Sequence, residues 1–229
     1  MKTEKDLAYL SSSVQLLKEN KFYRIADIVN RTGKRWEQDR EKILSDEKYK
    51  DTILKKYLTC KKNEPDLECL KKIIKEHGEA NNFEKPSANE IVIHLRTGDI
   101  LNPIIPRHRT MHMNPWRENL FKALPKILKE NNIEKVTLVT ALHYGANEIH
   151  NRFFYEEESH YRSLQYINSI KVGISNITNK ETFIFSNKEI DRDFFYLKSA
   201  NHYIPSNVGS FSSLIIELLD DSSSTYALI

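Results

Sequence analysis

The sequence predicts an α/β protein: a parallel, Rossmann-like sheet of the nucleotide-binding half-domain type, preceded by a small helical region. Three observations predict it. Short apolar runs of strand length, at 91–95, 136–140 and 182–186, alternate with longer stretches whose apolar residues recur at helical spacing. That alternation builds a parallel sheet with right-handed crossovers. The first run also ends in Arg96-Thr97-Gly98-Asp99, and strand ends are where open α/β sheets bind their ligands.

Residues 1–85 read as a helical N-terminal region. Leu7, Leu10, Val14 and Leu17 fall on one helical face. Trp36, Ile43, Tyr49, Ile53, Leu54 and Tyr57 mark one or two further helical stretches, and Leu67, Leu70, Ile73 and Ile74 form another stripe. Gly78 is the expected stop of that last helix. The polar stretch 79–90, which contains Pro86, reads as a linker. Residues 88–229 are then expected to form a Rossmann-like domain of the nucleotide-binding type.

The run 91–95 is almost wholly apolar, as suits a strand buried on both faces. Asn114 and Pro115 open a helix, the first as cap and the second in the first turn. Trp116, Leu120, Leu124, Ile127 and Leu128 keep its apolar face. Pro125 inside that pattern predicts a kink or a break into two helices. A second strand follows at 136–140, then a helix at 161–172 with Leu164, Ile167 and Val172 inward. The third strand is 182–186, a short helix 193–200, the fourth strand 202–205 and the last helix 211–219. The polar tail 220–224 is expected to fray.

Composition narrows the function classes. The 35 Lys and Arg against 32 Asp and Glu leave a net charge of +3, too balanced to argue for nucleic acid as a partner. No run of 18 apolar residues is present, so no transmembrane segment is expected. The start has no apolar core of signal-peptide length, and a cytoplasmic location is expected. Cys60 and Cys69 are too few for a disulfide framework or a zinc site and read as two reduced thiols.

Two constellations carry chemistry. The first is His94, Arg96, Gly98 and Asp99. The two-pronged guanidinium of Arg96 suits a diphosphate. His94 alternates with Arg96 and can point at the same pocket. Gly98 permits a sharp turn or a close approach. Asp99 orients Arg96 or bonds the loop's own amides. The competing reading is a strand-end Arg–Asp salt bridge beside a satisfied histidine. The second constellation is Gly209-Ser210-Phe211-Ser212, a turn feeding a helix. Exposed amides and the positive end of the helix dipole favour a phosphate there; plain capping by Ser210 is the competing reading. Thr140, Ala141 and Ser186 stand at the ends of the middle strands as candidate pocket walls. The basic loop 107–112 either reaches an anionic group or is simply solvated. Its His108 and His112 have no carboxylate partner at a suitable spacing, so no metal is expected.

The run His94-Leu95-Arg96-Thr97-Gly98-Asp99 resembles the H-x-R-x-G-D signature of the fucosyltransferase superfamily, which includes α-1,2 and α-1,6 enzymes and protein O-fucosyltransferases. The later series Asp193, Leu197, Ala200, His202, Ile204, Ser210, Phe211, Ser212 is similar in order to a segment of the α-1,2 enzymes. The loop from His202 to Ser210 is one residue longer than theirs, and Gly209 stands where they often have Ser. The resemblance implies the C-terminal half of a GT-B fold and inverting, metal-independent transfer from a GDP-sugar donor to a glycan or other hydroxyl acceptor, with no cofactor. It implies Arg96 as the catalytic residue on the donor diphosphate, and His94, Gly98 and Asp99 around it. Asp193 would take the guanine edge. Gly209, Ser210 and the amide of Phe211 would hold phosphate oxygens. Such enzymes have two nucleotide-binding-like halves, whereas the region before this motif is short and helical and lacks their Gly-rich opening turn. No catalytic base is therefore assigned. The acceptor site comes from the helical region or from a partner subunit, or else the chain is a non-catalytic nucleotide or nucleotide-sugar binding module.

Overall fold

A computed structural model of the chain describes residues 25, 29, 34–60, 66–101, 113–140, 157–186, 190–206 and 209–228. The side chains of residues 34–36, 39, 99, 157–159 and 190 fall outside that description. Three helices come first: α1 (Lys34–Ser45), α2 (Ile53–Cys60) and α3 (Leu67–Ala80). Then follow β1 (Glu90–His94), α4 (Met113–Glu130), β2 (Lys135–Val139), α5 (Glu157–Thr178), β3 (Thr182–Phe185), α6 (Ile190–Lys198), β4 (His202–Ile204), α7 (Ser210–Leu218) and β5 (Ser224–Thr225). Short 3-10 turns lie at Glu47–Tyr49 and Gly98–Leu101.

All five strands are parallel, in the order β3-β2-β1-β4-β5. Helices cover both faces, as a sheet apolar on both sides requires. Side-chain alternation along the strands divides the core. On one face Ile91, Ile93, Val136, Leu138 and Ile204 pack on Trp116, Leu120 and Leu124 of α4 and on Ile167, Ile170 and Ile174 of α5. On the other, Val92, Val139 and Tyr203 meet Phe194 and Phe195 of α6 and Leu214 and Ile215 of α7. Ile43, Ile53, Tyr57, Leu70 and Ile74 of the N-terminal helices belong to this same cluster.

Several sequence expectations are corrected. Of the kink or break expected at Pro125, the break does not occur: helix α4 continues across it. The lost backbone bond and ring clash cost about 3 kcal/mol, and burial of Leu120, Leu124 and Leu128 on either side of Pro125 opposes that. The helix begins at Met113, so Asn114 sits inside its first turn and is not the cap. Helix α5 is longer than expected, and Val172 is 46% exposed; Ile170 and Ile174 take the inward positions with Ile167. Gly78 lies within α3 and does not stop it. A Cβ there would come within 2.0 Å of the Phe195 ring, so this glycine serves close helix packing. The chain instead turns at Asn82, whose φ is 51°.

The expected linker is structured at both ends. Glu79 and Ala80 close α3, and Phe83 meets Phe195 edge-on at 5.8 Å. Glu90 is the first residue of β1 and fully buried. Its carboxylate accepts from the Tyr196 hydroxyl, from Lys135 Nζ at 3.0 Å and from Ser87 N and Oγ at 3.1 and 3.2 Å. Burial pushes this carboxyl up, but the hydrogen bonds outweigh it and hold it below the usual glutamate value. The polar tail is paired with β4 at its last residue, Ser224. It adds an edge strand, with Ser224 N donating to Asn201 O at 2.8 Å and Tyr226 N to Tyr203 O at 2.9 Å. The stripe from Leu7 to Leu17, the loop 107–112, Ala141 and the Trp36 side chain lie outside the described residues.

Candidate functional site

Strand order reverses between β1 and β4. From β1 the chain builds outward to β2 and β3; it then crosses back to place β4 and β5 on the other side. A crevice opens at the carboxyl ends of the strands where such a reversal occurs, because the two flanking connections leave in opposite directions. The exit of β1 and the turn from β4 into α7 both lie there.

These two segments are tied together by side chains. His94 Nδ1 lies 2.6 Å from Ser212 Oγ and 3.4 Å from Ser206 Oγ. The two serine hydroxyls are 2.8 Å apart. Ser206 and Ser212 are buried and His94 is half-buried. The imidazole meets the Phe211 ring at 5.2 Å, and Phe211 meets Phe194 edge-on at 5.6 Å. His94 thus stands at the centre of a packed cluster joining β1, α6 and α7.

Arg96 is half-buried, and its guanidinium lies against Gly209. A Cβ at Gly209 would come 2.6 Å from Arg96 Nη1. Gly209 has φ 119° and ψ 147°, a region essentially closed to residues with a Cβ. Two independent reasons therefore require glycine here. Gly209 is also the N-cap of α7 and makes no side-chain cap, and the first turn of α7 carries no acidic residue. Ser210, expected as the cap in the competing reading, is instead the first helical residue and exposed. The amides of that turn and the helix dipole present positive charge beside Arg96.

The β1 exit is held in shape by its neighbours. Gly98 has φ 78°, and its N–H donates to Ser163 Oγ of α5 at 3.0 Å. Thr97 Oγ1 and Thr140 Oγ1 are 3.1 Å apart, joining the exits of β1 and β2. A small pocket opens next to Arg96, walled by Leu95, Ile100, Trp116, Tyr166 and Ser206. Trp116 Nε1 donates to Pro205 O at 3.1 Å and steadies the end of β4. Burial pushes the Tyr166 phenol up to about 12, so it is protonated at neutral pH, and it donates to Met113 O at 3.4 Å.

The structure therefore brings together His94, Arg96, Gly98, Gly209, Ser210 and Phe211. Asp193 is buried in the first turn of α6 and adjoins Phe194 in the chain. Asp99 lies in the 3-10 turn. Ser186 is half-buried after β3. Residue-by-residue reading missed Ser206, Trp116, Tyr166 and Ser163. Ser206 was within reach of the strand-end rule, since it closely follows a short apolar strand. Trp116 and Tyr166 read only as helix-face residues, because nothing local marks which helix faces the crevice. Among the described residues no group of three His, Cys, Asp or Glu side chains could hold a metal ion, and no helix is long and apolar enough to cross a membrane. Comparison with models of protein families finds none that matches this chain, and no curated protein matches it.

Proposed function

We propose that this chain is a glycosyltransferase of the fucosyltransferase type, taking a GDP-sugar as donor and transferring the sugar to a hydroxyl of a glycan. One observation carries the reading: the Arg96 guanidinium lies against Gly209 at the start of α7, at the switch point of a parallel sheet. A cation beside the first amides of a helix is a setting for a diphosphate.

In this reading the acceptor oxygen attacks the anomeric carbon opposite the diphosphate, with inversion. The bond from that carbon to the diphosphate oxygen breaks, and the electron pair leaves with the diphosphate. Arg96 and the amides of Ser210 and Phe211 stabilise the charge that develops there, so neither a metal nor a cofactor is required. His94, fixed by Ser206 and Ser212, walls the donor pocket. Gly98 and Asp99 shape the β1 exit, and Asp193 accepts the N–H groups of the guanine edge.

A second reading, a nucleotide-sugar binding module without chemistry, is favoured by the N-terminal helices. Their described apolar residues are used on the sheet's own core. The described part of that region is thus a layer of this fold and not a second α/β half. Calorimetric titration with GDP, UDP and GDP-fucose, repeated with Arg96→Ala, tests the donor site. Selective GDP binding that weakens at least about tenfold in the variant, roughly 1.4 kcal/mol, is expected. Equal binding by parent and variant, or no nucleotide binding at all, overturns the reading. Release of GDP from GDP-fucose in the presence of glycan acceptors then separates transferase from binding module.

A further inference from the structure

The two cysteines sit at one end of the α2–α3 pair. Cys60 is the last residue of α2, and Cys69 lies in the first turn of α3, eight residues intervening. Leu54, Tyr57 and Leu58 of α2 share a core with Leu70, Ile73 and Ile74 of α3, which holds the two helices side by side. One hydrogen bond pins the start of α3 to α2, and a second caps α3. Asp66 N donates to the Tyr57 hydroxyl at 3.1 Å, and Cys69 N donates to Asp66 Oδ1 at 2.9 Å. Cys60 is one helical turn beyond Tyr57, as Cys69 is beyond Asp66, and residues so spaced share a helix face. The end of α2 that carries Cys60 and the start of α3 that carries Cys69 are therefore held next to each other. Both are free, Cys60 exposed and Cys69 half-buried.

We propose that Cys60 and Cys69 form a reversible thiol–disulfide exchange site whose reaction partner is a small disulfide of the glutathione class. Cys60 is the entry thiol because it is exposed. Its thiolate attacks one sulfur of the external disulfide. That S–S bond breaks, and one external thiolate leaves with the electron pair and takes up a proton. Cys69 then gives up its proton, attacks the Cys60 sulfur of the mixed disulfide and displaces the second external thiolate. Two protein thiols are oxidised to one disulfide, and one external disulfide is reduced to two thiols. Burial above all, with the neighbouring Cys60 thiol and Asp66 and against the pull of Lys72, pushes the Cys69 thiol up.

This inference is independent of the transferase reading. The test incubates the full chain in mixtures of reduced and oxidised glutathione, quenches with acid, and reads intact mass and linked peptides. The expected product is lighter by two hydrogens, carries a Cys60–Cys69 linkage and reverts with reductant. Cys69→Ser is expected to halt at one glutathione on Cys60. The fold presents the thiols to each other, so the bridge should be favoured at least about tenfold over the same chain in urea. Glutathione on both cysteines, bridges between chains only, no reaction, or bridging no better folded than unfolded each overturns the proposal.

Discussion

Gly209 concentrates the physics of the candidate site in one residue. Its backbone occupies a region closed to other residues, and the space its side chain would fill holds the Arg96 guanidinium. Gly209→Ala is expected to lose about 1–3 kcal/mol of stability from backbone strain, measured by urea denaturation. It should also weaken GDP binding, because Arg96 must shift; unchanged GDP affinity in a folded Gly209→Ala protein would argue against this placement of the diphosphate. Ser206→Ala and Ser212→Ala test the His94 cluster separately. Each leaves a buried partner short of one hydrogen bond, at a cost of about 1–3 kcal/mol. His94 and Arg96 were legible as a pair from their alternation along one strand. The serine partners of His94 lie 112 and 118 residues away in the chain, beyond the reach of any spacing rule.

At the scale of elements, glycine and proline behave against their local preferences. In an isolated helix Gly78→Ala would stabilise by about 1 kcal/mol. In α3 the new Cβ would meet the buried Phe195 ring at 2.0 Å. Overpacking of this kind costs about 1–3 kcal/mol, so the expected sign is destabilising. Pairing Gly78→Ala with Phe195→Leu should recover part of that loss in the same denaturation assay. Pro125 shows the same override, since α4 continues across it with apolar residues buried on both sides. Helix and strand positions came from periodicity, and the strands agree with expectation to within one residue at most ends. Val172 shows periodicity misapplied. It lies about 140° around α5 from Ile167 and faces solvent, whereas Ile170 and Ile174 share the Ile167 face and are buried.

Across the whole molecule, Glu90 couples stability to pH. Its carboxylate is fully buried at the start of the central strand and joins α6 through Tyr196 and β2 through Lys135. Its folded-state value is held below the usual one, near about 4.3 for a free glutamate. A depressed carboxyl stabilises the fold fully above the unfolded value and loses that contribution as pH falls through the folded one. Glu90→Gln is therefore expected to lower the melting temperature at pH 7, by the equivalent of about 1–3 kcal/mol. The gap between parent and variant should narrow as pH falls below about 4. A gap that stays constant or widens on acidification would contradict this assignment. Sequence reading had placed Glu90 in a polar linker; only its pairing with distant partners makes it a core residue.

The amino-acid sequence by itself determined the class of this protein. Apolar runs of strand length alternating with helical stripes specify a parallel α/β sheet, because periodicity and crossover chirality act over short stretches of chain. It also marked His94, Arg96, Gly98 and the Gly209 turn as chemistry at strand and helix ends. Tertiary structure alone decided the strand order that puts β1 beside β4, and hence that those two turns face each other. It also decided the edge strand β5, the close approach at Gly78, the burial of Glu90 and the packing of α2 on α3 that sets Cys60 and Cys69 at one end of the pair. The physical reason is common to all of them. Each depends on contacts between segments that no local pattern relates, and these are settled only when the helices compete for the two faces of the sheet.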